Sequence, residues 1–217
     1  MSGLFPTIYK VLSGAGATFL IFFSTLLFSL PLGLLISFAR LSKNKVVSNI
    51  TGFIISVLRG TPLMLQLIVW FFGPYYIFGI RLNAEWRIIS IILGFSINYA
   101  AYFAEIFRAG LQSIPISQYE AASVLGYSNS QTFIKIIFPQ MVKRVIPPVT
   151  NEIITLIKDT SLAFVVAYAE MFTIAKQVAA AETTIVPLFI AGLFYYVFNY
   201  LVAFIMEKVE RSFDYYR

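Results

Sequence analysis

Two carboxylates stand in a mostly apolar stretch of the second half of the chain. Glu152 and Asp159 are seven residues apart, and Thr155 lies between them. Seven residues make two turns of an α-helix, so all three side chains share one helix face. Carboxylates in a cavity of low dielectric constant favour a cationic guest, such as an ammonium or guanidinium group. We therefore predict that Glu152, Thr155 and Asp159 line a cavity for such a guest.

The same charges could instead be satisfied within the chain. Lys158 is the neighbour of Asp159 and could pair with it, while Glu152 could meet a backbone donor or Arg144. If Asp159 holds a group common to many guests, Glu152 is the better indicator of a charged guest. Both interpretations stay open at this point.

A second set of polar side chains lies earlier in the chain. Asn98, Tyr102 and Glu105 follow one another at i, i+4 and i+7, which places them on one helix face. We predict that Asn98 and Tyr102 line the cavity, with Gln66 as a weaker candidate, although a helix–helix hydrogen bond would explain Asn98 equally well. Glu105 is expected near a membrane surface. Two further carboxylates are expected to be solvated on the outer surface, Glu170 and Glu182.

The elements that position these residues are predicted to be membrane-spanning helices. Of the 217 residues, 59% are hydrophobic and 12% are charged, whereas soluble domains carry about a quarter charged residues. The mean hydropathy is +0.82. The sequence contains no cysteine and no histidine, which excludes a disulfide framework and the usual zinc, haem and thiol chemistries. The fold class is therefore an all-α integral membrane protein.

Five spans are expected, because a helix needs about 20 apolar residues to cross the hydrocarbon core. Pro31 should kink the first span, and the residues Arg59–Pro62 interrupt an apolar run over 46–58 that we interpret as non-spanning. A sixth span there would put both ends of the chain on the same side and remove the charge bias described next. No cleavable signal peptide is expected. Residues 1–217 then form one domain, with a loop over 108–144 and spans at about 15–39, 63–80, 88–107, 147–167 and 187–206.

Charge distribution predicts the orientation of these spans. With the N-terminus outside and the C-terminus inside, 11 of the 16 Lys and Arg residues fall on the cytoplasmic side and 4 outside. Cytoplasmic loops are enriched in Lys and Arg, so this bias favours that orientation and a cytoplasmic loop over 108–144. The inner residues are Arg40, Lys43, Lys45, Arg59, Arg108, Lys135, Lys143, Arg144, Lys208, Arg211 and Arg217; the outer ones are Lys10, Arg81, Arg87 and Lys176.

The loop is predicted to carry a short surface helix. Ser117 and Glu120 have the spacing of a capping box, and Gly126 is a natural helix end. The small residues Ala121–Ser123 would let another surface approach closely, as a helix docked in a partner's groove requires. A second capping pattern, at Ser128 and Gln131, predicts a further helix that Pro139 ends or kinks.

Residues 120–139 resemble the EAA loop of importer permeases of the ATP-binding-cassette (ABC) superfamily. That pattern is E-A-A, three residues, G, nine residues, then I-x-L-P, and only Phe138 departs from it. In the family this loop forms a coupling helix that docks on the ATPase subunit, so the resemblance gives docking and shape roles to Glu120, Ala121, Ala122 and Gly126. The residues that carry the match are Glu120, Ala121, Ala122, Gly126, Ile136, Phe138 and Pro139.

Two further stretches, Arg59–Leu63 and Lys158–Leu162, resemble the R-G-T-P and K-D-T-S-L patterns of polar amino-acid permeases of the histidine, glutamine and arginine type. The resemblance implies a type I importer with two permease subunits, which are copies or paralogues, two ATPases and an external substrate-binding protein. No stretch matches G-x-x-x-x-G-K-[S/T]. We expect no cofactor in this chain, with ATP and Mg²⁺ bound by the partner ATPase, and no catalytic residue.

The function predicted from these observations is ATP-driven import of an amino acid across a bacterial cell membrane. Glu152 and Asp159 favour a basic amino acid, with arginine first and lysine or histidine next. Three alternatives stay open: a permease for a neutral or acidic amino acid such as glutamine, an ion-coupled transporter or channel without an ATPase, and a membrane scaffold.

Overall fold

The computed structural model describes residues 3–213, and this range is helical almost throughout, with no strand in it. It confirms the all-α prediction. A π-helical turn at Phe133–Ile137 joins α7 to α8, and a 3₁₀ helix at Thr160–Val166 joins α8 to α9. The α-helices are α1 (Leu4–Leu12), α2 (Ala15–Arg40), α3 (Lys45–Gly60), α4 (Leu63–Phe78), α5 (Ala84–Gln112), α6 (Ile116–Val124), α7 (Asn129–Thr132), α8 (Phe138–Asp159), α9 (Met171–Glu182) and α10 (Val186–Ser212).

Three segments are long and apolar enough to cross a membrane by themselves: α1 with α2, α5, and α10. Two bent pairs qualify only when each is taken as one span. The first joins α3 to α4 at 106°, and the second joins the 129–166 segment to α9 at 57°. The described residues therefore hold three to five spans, and the predicted five corresponds to counting each bent pair once.

Helix α5 lies at the centre of the bundle and packs most extensively on α2. The two backbones approach closely at Gly33, where an added Cβ would lie 2.7 Å from Cβ of Phe103 and 3.1 Å from the carbonyl oxygen of Ala100. The hydrophobic effect does not drive helices together in lipid. Small residues at such crossings instead allow close van der Waals contact between the helices. This close packing on α2 fixes the position of α5, which carries Asn98 and Tyr102.

The bend between α3 and α4 falls at the predicted Arg59–Pro62 interruption. Thr61 is extended, and Pro62 precedes the first residue of α4 with its φ at −60°. Proline has no N–H to donate and disfavours a helical residue before it, so the chain leaves α3 and restarts in a new direction. The predicted second span over 63–80 corresponds to α4, whose 16 residues are short for a crossing without α3.

The helical path does not end at Pro139, so the first of the two predicted outcomes, a helix end, is wrong. The π-helical turn lies immediately before it, and α8 continues through Pro139, Pro147 and Pro148 to Asp159. Proline cannot donate to the carbonyl four residues earlier, and its ring crowds that carbonyl. A wider π-turn at that point gives the ring room, so the helical path is kept.

The loop helix α6 begins at Ile116 with Pro115 in the capping position, so the predicted capping box at Ser117 is wrong. Its end is as predicted, because Gly126 adopts a φ of +77°. The Gly126 and Tyr127 N–H groups bond back to the carbonyls of Ser123 and Ala122, which is the Schellman arrangement.

The second capping box of the loop is confirmed. Ser128 accepts from the Gln131 N–H at 3.3 Å, and the Gln131 side chain accepts from the Ser128 N–H at 2.9 Å. Both bonds are local in sequence, which is why the spacing alone was sufficient to predict them.

Candidate functional site

A cavity of about 540 Å³ lies between the α3–α4 junction, α5 and α8. Five of the six residues predicted for the cavity line it: Asn98, Tyr102, Glu152, Thr155 and Asp159. Helix α8 contributes three of them along one face, as the seven-residue spacing requires, and α5 contributes two. That these residues bind a substrate stays a prediction.

Asp159 has a partner that the sequence did not indicate. The Tyr99 hydroxyl donates to Oδ2 of Asp159 at 2.7 Å, and the Tyr99 ring is buried in the α5 core. Lys158 is exposed and forms no ion pair with Asp159 among the described residues. The internal pairing considered for Asp159 is therefore absent, and this carboxylate is held in place by a neutral donor.

Arg59 is the second site residue that sequence reasoning missed. The bend after α3 places it at the cavity wall, with its guanidinium carbon 5.1 Å from the centre of the Tyr102 ring. The positive charge of Arg59 is also near enough to attract the Glu152 carboxylate. The signal was present in the Arg59–Pro62 interruption, but only a bend at that point brings the arginine beside α5 and α8.

Glu152 is half-buried and forms no hydrogen bond or ion pair with the described part of the chain. The alternative partner, Arg144, donates to the carbonyl oxygen of Ser113 instead. Thr155 is exposed to the cavity, and its hydroxyl donates to the Asn151 carbonyl at 3.0 Å. Glu152 is thus the carboxylate of the site most available to a guest.

Gln66 lies behind the cavity wall and does not line it. Its side-chain nitrogen donates to the Leu58 carbonyl at 2.8 Å and to the Thr61 hydroxyl at 2.8 Å, while its oxygen accepts from Asn98 at 3.1 Å. The Asn98 amide also donates to the Leu58 carbonyl at 3.1 Å. The two amides satisfy backbone that the α3–α4 bend frees, so the helix–helix role considered for Asn98 is observed.

The loop helix presents an exposed apolar surface, which we call the α6 surface. Val124 is 88% exposed, Ile116 74% and Leu125 73%. Glu120 and Ala121 are also exposed, whereas Ala122 is 1% exposed and packs on its own chain. A large apolar side chain on an exposed short helix is costly in water, so this surface has the properties of a partner site.

A buried carboxylate overturns one prediction. Glu170 was expected to be solvated, but it is 0% exposed and caps α9. Its two oxygens accept from the N–H groups of Phe172 and Thr173, the Thr173 hydroxyl and the Tyr195 hydroxyl, at 2.6–2.9 Å. Full hydrogen bonding allows this burial. Glu182 is partly exposed and lies 3.9 Å from the Lys10 ammonium.

Bent helical spans around a polar cavity, with an exposed loop helix, define a membrane transport protein. The chain belongs to the family of binding-protein-dependent transport system inner membrane components, whose model matches residues 29–215. It is 35% identical to the arginine transport system permease protein ArtQ of Bacillus subtilis, over 97% of this chain and 95% of that protein. The putative glutamine transport system permease protein GlnP of Rickettsia felis is 30% identical, over 96% and 94%.

Other comparisons agree with this family. The L-cystine transport system permease protein TcyB of Bacillus subtilis is 34% identical over 88% of this chain and 80% of its own length. Among solved structures, that of an amino acid ABC transporter with histidines has a TM-score of 0.83 at 27% identity, covering 94% of both chains. The chain is therefore a permease subunit of an amino-acid ABC importer, and ATP hydrolysis is carried out by a separate ATPase.

Proposed function

We propose that this permease forms the translocation pathway for a basic amino acid, with arginine as the first candidate. The observation that carries the proposal is the charge of the cavity wall. Glu152 and Asp159 supply two negative charges and Arg59 one positive charge, which leaves the wall with a formal charge of −1. An amino acid with a cationic side chain carries a net +1 and neutralises it, whereas glutamine leaves one cavity charge unmatched.

Each charged group of the cavity has a complementary group on such a substrate. Arg59 can bind the α-carboxylate, and the two carboxylates can bind the α-ammonium and the guanidinium. Glu152 would hold the side chain, since it has no hydrogen bond within the described chain, while Asp159 is already oriented by Tyr99. The same cavity could bind glutamine by its α-groups alone, and relatives are named for arginine, glutamine and cystine.

The same proposal includes an orientation and a set of partners. The Lys and Arg distribution supports an N-terminus outside and a C-terminus in the cytoplasm, so α6 faces the ATPase. The α6 surface would dock on that subunit, and two permease subunits, identical or paralogous, would enclose the pathway beneath an external binding protein. Rigid-body movement of α6 would then transmit ATP-driven closure to the bent spans.

Replacing Glu152 with glutamine is expected to lower arginine uptake at least about tenfold while reducing glutamine uptake about twofold or less, because one desolvated charge pair is lost only with the cationic substrate. The measurement is uptake of both labelled amino acids into proteoliposomes that contain the complete transporter and enclosed ATP. Glu207→Gln is the matched control, since Glu207 is exposed, pairs with Arg211 and lies on α10, which contributes no residue to the cavity wall.

Equal losses of arginine and glutamine uptake would show that Glu152 is structural and would refute the basic substrate. Uptake that persists without ATP and follows an ion gradient would refute ATP-driven import by this chain.

Replacing Val124 with aspartate is expected to abolish ATP-driven uptake and co-purification of the ATPase without loss of folded permease. Val124 is 88% exposed, so a charge there costs little in the isolated chain, but it would be buried unpaired in a docked interface. The check is the ATPase-to-permease ratio after affinity purification. Val46→Asp, at a 65% exposed position in the first turn of α3 and outside this loop, is the control, and equal loss of the ATPase in both variants would contradict the docking role of α6.

A further inference from the structure

A second cavity, of about 490 Å³, adjoins the substrate cavity at the α6 end of the bundle. We call it the basic pocket. Arg59 lines both cavities, so the two are neighbours along one route. The basic pocket is otherwise formed by α5, the loop after it and α8, and it carries two further guanidinium groups, those of Arg108 and Arg144.

The charges of the basic pocket do not cancel. Glu105 is its one carboxylate and is paired with Arg108, at 2.6 Å between Oε2 and Nη2. Arg144 donates to the neutral carbonyl of Ser113, and Arg59 stacks over the Tyr102 ring. Three guanidiniums therefore face a single carboxylate, and the pocket has a formal charge of +2.

The position of the basic pocket indicates that it faces the transport route and not the lipid. On another side of the α5–α8 contact lies a cavity of about 300 Å³ that is lined by apolar residues alone, among them Leu30, Phe107 and Met141. That apolar side suits hydrocarbon. The basic side is the one that shares Arg59 with the substrate cavity.

We propose that the basic pocket is a carboxylate-binding station on the exit route of the amino acid. This inference rests on the proposed function. The wall of the substrate cavity carries carboxylates, and the wall of the basic pocket carries guanidinium groups. These charges favour an amino acid whose ammonium group stays in the substrate cavity while its carboxylate points toward α6. The carboxylate would leave Arg59 and meet Arg144 before the rest of the molecule moves, since Arg108 is already occupied by Glu105.

The experiment uses the absence of cysteine from the sequence. Ala109 is exposed in the basic pocket, and Ala109→Cys places one reactive thiol there. Thr155→Cys places the matched thiol in the substrate cavity. Both full-length variants, assembled with their partner subunits, are treated in inside-out membrane vesicles with anionic sulfonatoethyl and cationic trimethylammonioethyl methanethiosulfonate. Modification of this chain is followed by mass, with and without L-arginine, L-glutamine or agmatine, which is arginine without its carboxylate.

We expect the Ala109→Cys thiol to react faster with the anionic reagent and the Thr155→Cys thiol faster with the cationic one. Adding Arg144→Gln should lower the anionic-to-cationic rate ratio at Ala109→Cys about fivefold, because one nearby charge acts on both reagents with opposite sign. Arg144→Lys should restore the ratio. L-Arginine or L-glutamine should slow the anionic reaction, and agmatine should not.

Equal rates for the two reagents at Ala109→Cys, or a ratio unchanged by Arg144→Gln, would overturn the anion site. The carboxylate-binding role would be overturned if agmatine protected the thiol as strongly as the amino acids do. It would also be overturned if none of the three compounds protected it. Protection of Thr155→Cys by L-arginine without protection of Ala109→Cys would refute this inference and leave the proposed function standing. Failure of L-arginine to protect Thr155→Cys would count against the basic substrate itself.

Discussion

The Gly14→Ala substitution is expected to destabilise the permease by about 3 kcal/mol or more and to lower the temperature at which the folded complex is lost. An added Cβ would lie 2.6 Å from the backbone nitrogen of Met171 and 2.7 Å from the carbonyl carbon of Glu170. Both contacts are to backbone, which cannot rotate away, so the start of α2 or of α9 would have to move. Overpacking of cores costs about 1–3 kcal/mol, and more where the neighbours cannot yield.

Gly16→Ala is the matched control for Gly14→Ala, because an added Cβ at Gly16 would meet no atom within 4 Å beyond its own stretch of helix backbone. It lies two residues away at an exposed position, whereas Gly14 is buried, and should leave folding unchanged. The measurement is the temperature at which the detergent-solubilised complex loses its monodisperse peak in size-exclusion chromatography. Similar temperatures for Gly14→Ala and the unmodified protein would show that the junction of α2 with α9 is loosely packed.

Replacing Glu170 with glutamine is expected to cost about 3 kcal/mol, although the two side chains have the same shape. Each carboxylate oxygen accepts two hydrogen bonds from Phe172, Thr173 and Tyr195. A glutamine presents an NH₂ group to two of these donors, so buried polar groups lose their acceptor. Acceptance by a charged carboxylate also makes the bonds stronger than those to an amide.

The thermal assay used for Gly14 also tests Glu170→Gln. The control is Glu85→Gln, since Glu85 is an exposed acidic residue of the first turn of α5. Tyr195→Phe, which removes one of the four bonds, should cost only about 1 kcal/mol. If the Glu170→Gln and Glu85→Gln complexes are lost at the same temperature, the buried hydrogen bonds of Glu170 do not stabilise the α9 junction.

Features that depend on neighbours in sequence were predictable. The face shared by Glu152, Thr155 and Asp159 follows from helical periodicity, and the capping box at Ser128 follows from a spacing of three residues. The left-handed turn at Gly126 is of the same kind, since glycine adopts a positive φ without the steric cost borne by other residues. In each case the physical cause lies within two helical turns of the residue.

Features that depend on the path of the chain were not predictable. Arg59 joins the cavity only because α3 and α4 meet at 106°, and the Tyr99–Asp159 bond joins residues 60 positions apart. Three of the four hydrogen bonds to Glu170 are local, but its burial also depends on Tyr195, which comes from another helix. Pro139 misled for a different reason, because a π-helical turn, which has no simple sequence pattern, lets the helix continue.

The Leu58 carbonyl accepts hydrogen bonds from two amides, those of Gln66 and Asn98, which come from different helices. Either donor alone can satisfy it, so the two positions are redundant in genetic terms. Losing one amide would be nearly silent at this carbonyl, whereas losing both would leave a backbone acceptor unsatisfied at the bend, and the penalty would be strongly epistatic. At this carbonyl, a substitution at either position is thus expected to be tolerated only while the other amide is kept.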